Sequence, residues 1–177
     1  MKYRIPIILI SLLLTFYSNS NAQKTYTLIP KNTGKVNQAL TASLPNSMKA
    51  IAAFYSAMGG TDCLEQECVL TKSLGLGKQG SDAHKKLIET YFPDDKAAKL
   101  IIGQECYLSP SGSSSFSNFK YLSFRVTRDT VRVDYQLSVY DHGNTKNISG
   151  PDIYIFKNHV YKNIKRVLYA WTEKQSP

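Results

Sequence analysis

From Thr130 to Tyr140 the chain alternates without a break. Val131, Val133, Tyr135, Leu137 and Val139 share one face, and Arg132, Asp134, Gln136 and Ser138 share the other. Successive side chains of an extended chain point to opposite faces, so this run dictates a strand with one face on a core and one in water. Neighbouring segments follow the same rule. Lys120 to Val126 places Leu122, Phe124 and Val126 together, and Asp152 to Lys157 and Val160 to Trp171 form two more strands around Asn158-His159. Asp141-His142-Gly143-Asn144 reads as a turn, and 109–118 as a Ser/Gly-rich loop.

Upstream of this region the period is helical. Met48, Ile51, Tyr55 and Met58 recur at steps of three and four, with Phe54 widening the stripe. Asn46 or Ser47 caps the start after Pro45, and Gly59-Gly60 ends the helix. Residues 62–74 are weakly helical. Ser81 or Asp82 opens a second clear helix to about Phe92, with Leu87, Ile88 and Tyr91 on its apolar face, and Pro93 stops it. Asp94 or Asp95 starts a short third helix through Ile102. Before all of these, Tyr26 and Leu28 suit a short edge strand. Helices first and strands afterwards predict an α+β fold, with N-terminal helices packed on a curved antiparallel sheet of at least four strands.

Residues 1–22 set the compartment. Lys2 and Arg4 precede an apolar run from Ile5 to Tyr17, and Ser20-Asn21-Ala22 fits a small-x-small cleavage site before Gln23. The apolar run is about thirteen residues, short of the roughly twenty that span a bilayer. The expectation is an exported protein, periplasmic or secreted, with no transmembrane segment once the signal is removed. The division expected is 1–22 signal, 23–44 extended lead-in and 45–177 one α+β domain.

The chain carries 22 basic and 13 acidic residues for a formal charge of +9, and loss of Lys2 and Arg4 lowers this to +7. Basic residues are spread rather than clustered, which suits solubility more than a polyanion-binding patch. Nucleic acid is a poor partner for a chain that leaves the cytoplasm.

Export favours a disulfide, and Cys63, Cys68 and Cys106 leave one thiol over. If 63–68 were regular helix, the first two cysteines would point about 140° apart with Cα atoms roughly 8–9 Å apart, beyond disulfide reach. Either that stretch is not helical and Cys63 pairs with Cys68, the preferred pairing because Gly59-Gly60 marks a turn, or one of them reaches Cys106.

Chemistry-bearing motifs are weak. Gly75-x-Gly77-x-x-Gly80 has dinucleotide-loop spacing but lacks the preceding strand that motif needs. His84, His142 and His159 show no metal-ligand spacing. His142 and His159 sit in turns at opposite ends of a strand of about six residues, some 20 Å apart at ~3.3 Å per residue. His84, beside Lys85 and Lys86, reads as solvated. No serine has a nucleophile-elbow setting. Asn147-Ile148-Ser149 matches a glycosylation sequon. No metal or cofactor is implied.

The strands Phe119–Val126, Val131–Val139, Asp152–Phe156 and Lys162–Tyr169 resemble those of the nuclear transport factor two-like superfamily. The similarity is greatest over Gly150-Pro151-Asp152-Ile153-Tyr154-Ile155 and Lys162-Asn163-Ile164-Lys165-Arg166-Val167. Ile51-Ala52-Ala53-Phe54-Tyr55 resembles the opening helix of that group, and the likeness spans roughly 45–171. Members often carry Trp-Lys-Ile in the second strand, where this chain has Asn163. The resemblance implies a cone-like sheet wrapped around helices, with an interior pocket, and pairing of copies through the sheet as a possible homodimer. That scaffold hosts enzymes, ligand binders and protein-binding modules, so it does not decide function.

Three readings follow. The first is an exported noncatalytic binding module for a small molecule, a glycan or an envelope protein, with Tyr135 as candidate pocket lining. The second is an isomerase- or dehydratase-like enzyme, which needs a carboxylate and a hydroxyl facing each other in an apolar pocket. Parity sends Asp134 to the polar face, and Asp141 and Asp152 fall at strand ends, so a catalytic residue is not assigned. The third is an inhibitor or immunity-type protein that blocks a partner enzyme. The noncatalytic module is the reading preferred.

Overall fold

A computed structural model describes residues 23–57, 65–77, 80–102, 115–141 and 143–167. Residues 1–22, where the signal is expected, Cys63, Cys106, Met58, His142 and residues 168–171 lie outside them. Cys68 falls within a helix, but its side chain is also outside the described set. The disulfide expectation therefore rests on undescribed residues.

In chain order the elements are β1 (Lys24–Ile29), α1 (Gln38–Ala42), α2 (Asn46–Ala57), α3 (Glu65–Ser73), α4 (Asp82–Tyr91) and α5 (Lys96–Ile102). Five strands follow: β2 (Ser115–Thr127), β3 (Thr130–Asp141), β4 (Asn144–Ser149), β5 (Asp152–Lys157) and β6 (Val160–Lys165). All pair antiparallel in one curved sheet, β1-β2-β3-β5-β6, with β4 also on β3. The α+β architecture is as the segregated periodicities predict.

β3 is the central strand, and its alternation is realised: Val131, Val133, Tyr135, Leu137 and Val139 are all buried. On the other face Asp134 accepts from Arg132 Nε at 2.8 Å and lies 3.9 Å from Arg125. Along one side β3 pairs with β2. Along the other it pairs first with β5 (Thr130–Val133) and then with β4 (Gln136–Asp141), in one continuous register. β4 and β5 thus form a single line of strand interrupted at Gly150-Pro151. The cause is visible at Gly150. A Cβ there would lie 2.6 Å from the Tyr135 ring, so the ring occupies the space a side chain would need. Proline next in line has no N–H for the ladder.

α2 lies across the inner face of the sheet. The sequence shows a stripe, but from Ala50 to Ser56 every residue is buried. Ala50, Ala52, Ala53 and Ser56 are small, which lets α3, α4 and α5 close over the side of α2 away from the sheet. A helix buried all round needs apolar or satisfied residues all round. Thr71 accordingly donates to Ser56 Oγ at 3.1 Å, and Ser56 donates to the Ala53 carbonyl at 2.8 Å.

Four expectations are corrected. The 109–118 loop is shorter, because Ser115–Asn118 pair with Ser138–Asp141 of β3. β4 falls where no strand is predicted, since Asn144-Thr145-Lys146-Asn147 has no apolar alternation and its pairing is carried by backbone. The last strand ends at Lys165, because Arg166 and Val167 turn their donors inward. His84 is not solvated but 1 % exposed. Its Nδ1 accepts from Gly80 N–H at 3.1 Å, so Nε2 carries the proton and donates to the Ala53 carbonyl at 3.1 Å. Burial lowers its pKa from the ordinary 6.5. Gly75, Gly77 and Gly80 all have positive φ, and it is α3 that precedes them and not the strand a dinucleotide loop needs.

Candidate functional site

The interior between α2 and the sheet is aromatic. Tyr55 from α2 meets Phe119 and Phe124 of β2, Tyr135 of β3 and Tyr154 of β5, with ring centroids 5.8–6.5 Å apart. Into this cluster β5 delivers one carboxylate. Asp152 has the same parity as Tyr154, so its side chain turns inward and is 0 % exposed. An unpaired carboxylate there would cost several kcal/mol, and hydrogen bonds offset that.

Asp152 Oδ2 accepts from the Tyr55 hydroxyl at 2.5 Å. Its Oδ1 accepts from Val167 N–H at 2.6 Å and from the Tyr135 hydroxyl at 3.3 Å. Having spent its proton on Asp152, Tyr55 accepts from Tyr154, whose hydroxyl lies 3.0 Å away. Tyr154 in turn accepts from Arg166 Nε at 3.1 Å. Arg166 grips Asp95 with both terminal nitrogens, at 3.0 and 2.6 Å. Asp95 also caps α5 by accepting from the Ala97 and Ala98 N–H groups. A directed chain of donors therefore runs from Arg166 through Tyr154 and Tyr55 to Asp152.

Burial raises the Asp152 pKa above its ordinary value, and the bonds from Tyr55 and Val167 pull against it. Burial, with Tyr154 and Asp152 nearby, pushes the Tyr55 hydroxyl well above 10. Burial likewise raises Tyr154 although Arg166 opposes it. For Asp95 burial is overcome by Arg166 and the two amides, so its carboxyl is held below the usual range. Arg166, stacked 4.5 Å over Phe54, stays charged because Asp95 outweighs its burial.

A cleft bordered by described residues lies beside this cluster. It has a volume of about 490 Å³ and is lined by residues 93–97, residues 160–163 and Arg166. Tyr161, which lines it, donates to the Ser47 carbonyl at 3.0 Å and anchors β6 to the start of α2.

No family model, no curated protein and no solved structure matches this chain. Among the described residues no helix is long and apolar enough to cross a membrane, and no three His, Cys, Asp or Glu side chains are grouped to hold a metal ion.

Tyr135, the candidate pocket residue, is 3 % exposed and packed against Tyr55, Phe119 and Gly150. It serves the Asp152 cluster and does not face the cleft. His159 is exposed in the β5–β6 turn, whereas His84 is buried in α4. Sequence reasoning misses Asp152, Tyr55 and Arg166 as a group. The signal for Asp152 was parity: it stands two residues before Tyr154, on the apolar side of β5. Asp95 and Arg166 are 71 residues apart and carry no local signal.

Proposed function

We propose that this chain is an exported, noncatalytic binding module on a cone-like scaffold of the nuclear transport factor two-like kind, and that it binds at the cleft beside β6. The observation that carries this reading is the contrast between interior and cleft. The interior is filled by Tyr55, Phe119, Phe124, Tyr135 and Tyr154, and Asp152 has no exposed surface. A general base must come within about 3 Å of the proton it removes. Among the described residues, Asp152 meets the Tyr55 and Tyr135 hydroxyls and the Val167 amide at about that range. The cleft, by contrast, is open and edged by Lys96, Lys162 and Asn163.

Native mass spectrometry of the protein purified from its own host tests this. A small ligand or partner removed by unfolding, and lost in the Lys96→Glu/Lys162→Glu double variant, is the expected result. Retention of the same mass by that variant would place binding elsewhere.

One observation favours a second reading, an isomerase- or dehydratase-like enzyme: a buried carboxylate with raised pKa lies 2.5 Å from a tyrosine hydroxyl. Such constellations support acid–base chemistry when substrate reaches them. Here Asp152 is fully buried, so substrate would have to displace part of the packing around it. Isomerisation of a cyclic enone that vanishes in Asp152→Asn, while the fold persists, would establish this reading over the first.

A further inference from the structure

β6 ends the sheet order, so among the described residues its outer edge has no strand partner. The register shows which groups face outward. β5 and β6 are joined by the two-residue turn Asn158-His159, both at positive φ (53° and 64°), with Lys157 opposite Val160. In such a hairpin the pair flanking the turn exchanges both bonds, and the next pair exchanges none. Phe156 confirms this phase, because its N–H turns away from β6 and donates to the Asp129 carbonyl at 2.7 Å. Its opposite, Tyr161, and the alternate residue Asn163 therefore direct N–H and C=O away from β5. Both residues line the cleft, together with residues 93–97 from the end of α4 to the start of α5.

The cleft is thus bordered by a strand edge that, among the described residues, no other strand covers. Four residues of β6 border it, and an extended segment of about four residues at ~3.3 Å each matches that length. Charge selects what enters. Lys157, Lys162 and Lys165 are exposed on the hairpin and Lys96 stands across the groove. Of the acids nearby, Asp152 is buried, Asp95 is held by Arg166, and Asp94 alone is exposed at the groove. Ile155 and Ile164 are 36 % and 60 % exposed on the same hairpin, Ile164 being the residue skipped where the β5–β6 register shifts.

We propose that this groove captures an extended acidic segment of a partner protein, which adds to the sheet as a strand beside β6 and presents its carboxylates to Lys96 and Lys162. The inference rests on the binding-module reading and names the partner class for the same cleft. Backbone pairing supplies the grip, and the lysines supply the selectivity. Natural proteins blunt free edges with lysine, proline, a bulge or a covering element; β6 carries Lys162 and Lys165 and a register shift at Ile164, so its lysines turn away a basic or neutral strand and leave an acidic one as the partner that can pair.

The probes are two synthetic octapeptides, one alternating valine with glutamate and one alternating valine with lysine, titrated into the full chain. Calorimetry and amide spectra are the readouts. The glutamate peptide is expected to bind, to shift the Tyr161 and Asn163 amides, and to protect them from exchange. The lysine peptide should bind about tenfold or more weakly. Asn163→Pro removes one outward N–H without touching a β5 bond, so it should keep the melting temperature and lose binding. Lys162→Glu is the second variant, expected to weaken the glutamate peptide about tenfold even if Asn163→Pro fails to fold.

Equal affinity for both peptides, undiminished binding to both variants, or amide shifts confined to other strands would each overturn the proposal. A homodimer dissociated by Asn163→Pro would overturn it too, since a second copy would then own the edge. If the native protein carries a cleft-bound small molecule while neither peptide binds, the strand-addition proposal fails and the binding-module reading stands.

Discussion

The His84 imidazole joins two backbone groups, the Gly80 N–H and the Ala53 carbonyl, and does so as the neutral Nε2–H tautomer. Protonation would put a donor against the Gly80 donor. Its folded pKa lies below the unfolded 6.5, so the unfolded chain binds the proton first as pH falls. The stability His84 contributes is therefore complete above 6.5 and is lost as pH drops through 6.5 toward the folded value. Asp152 acts in the opposite sense: its folded pKa is raised, so ionising it costs stability as pH rises through that value. Urea midpoints measured across this range for the wild type and His84→Gln separate the two, and the difference between the curves should shrink as pH falls below 6.5. Gly150 makes a second prediction at this scale. Gly150→Ala puts a methyl 2.6 Å from the Tyr135 ring and 3.0 Å from the Val133 carbonyl. A loss of about 1–3 kcal/mol is expected from denaturant unfolding, as for other overpacked sites. Tyr135→Phe, which removes the bond to Asp152 and keeps the ring, should cost less than the displaced ring does.

At the level of elements, the ion pair of Asp95 and Arg166 holds the segment after β6 to the start of α5. Their side chains are 10 % and 5 % exposed, so the pair is shielded from solvent. Breaking one member leaves the other charged and buried, which costs about 3–5 kcal/mol. Asp95→Ala should cost the more, since it also removes the α5 cap. Arg166→Met should release Tyr154 as well. The double variant should lose less than the sum of the two, and chemical denaturation of all four proteins measures that coupling. The elements themselves were legible where burial repeats along a segment. β3, β5, α2 and α4 follow their apolar periods, and Ser81 caps α4 as its position suggests. β4 was not legible because only Ile148 of its six residues is buried.

Over the whole molecule, α2 is the element on which the rest converges: the sheet packs on one side, and α3, α4 and α5 on the other. Opening any face of α2 exposes fully buried aromatics and the Asp152 cluster together. Its amides from Ile51 to Tyr55 should therefore exchange only by global unfolding, along with those of Val131–Leu137, while β1 and α1 at the periphery exchange through smaller openings. Hydrogen exchange with residue resolution checks this, and faster exchange in α2 than in β1 would contradict it.

Local rules sufficed for the α+β class, the inner face of β3, the stripe on α2 and the Ser81 cap, because each depends on neighbours within a few positions; they misplaced the start of α2, where Asn46 and Ser47 are already helical and Lys49 N–H bonds the Pro45 carbonyl. They also separated Asp134 from the core by parity alone. Only the tertiary structure decided what Asp152 is. Its setting comes from Tyr55 on α2, Tyr135 on β3 and Val167 beyond β6, groups 15 to 97 positions away. The cleft beside β6 is likewise made where two remote segments fail to meet. Distances between remote residues are set by how whole elements pack, and periodicity, which records only which way a side chain points, carries no trace of them.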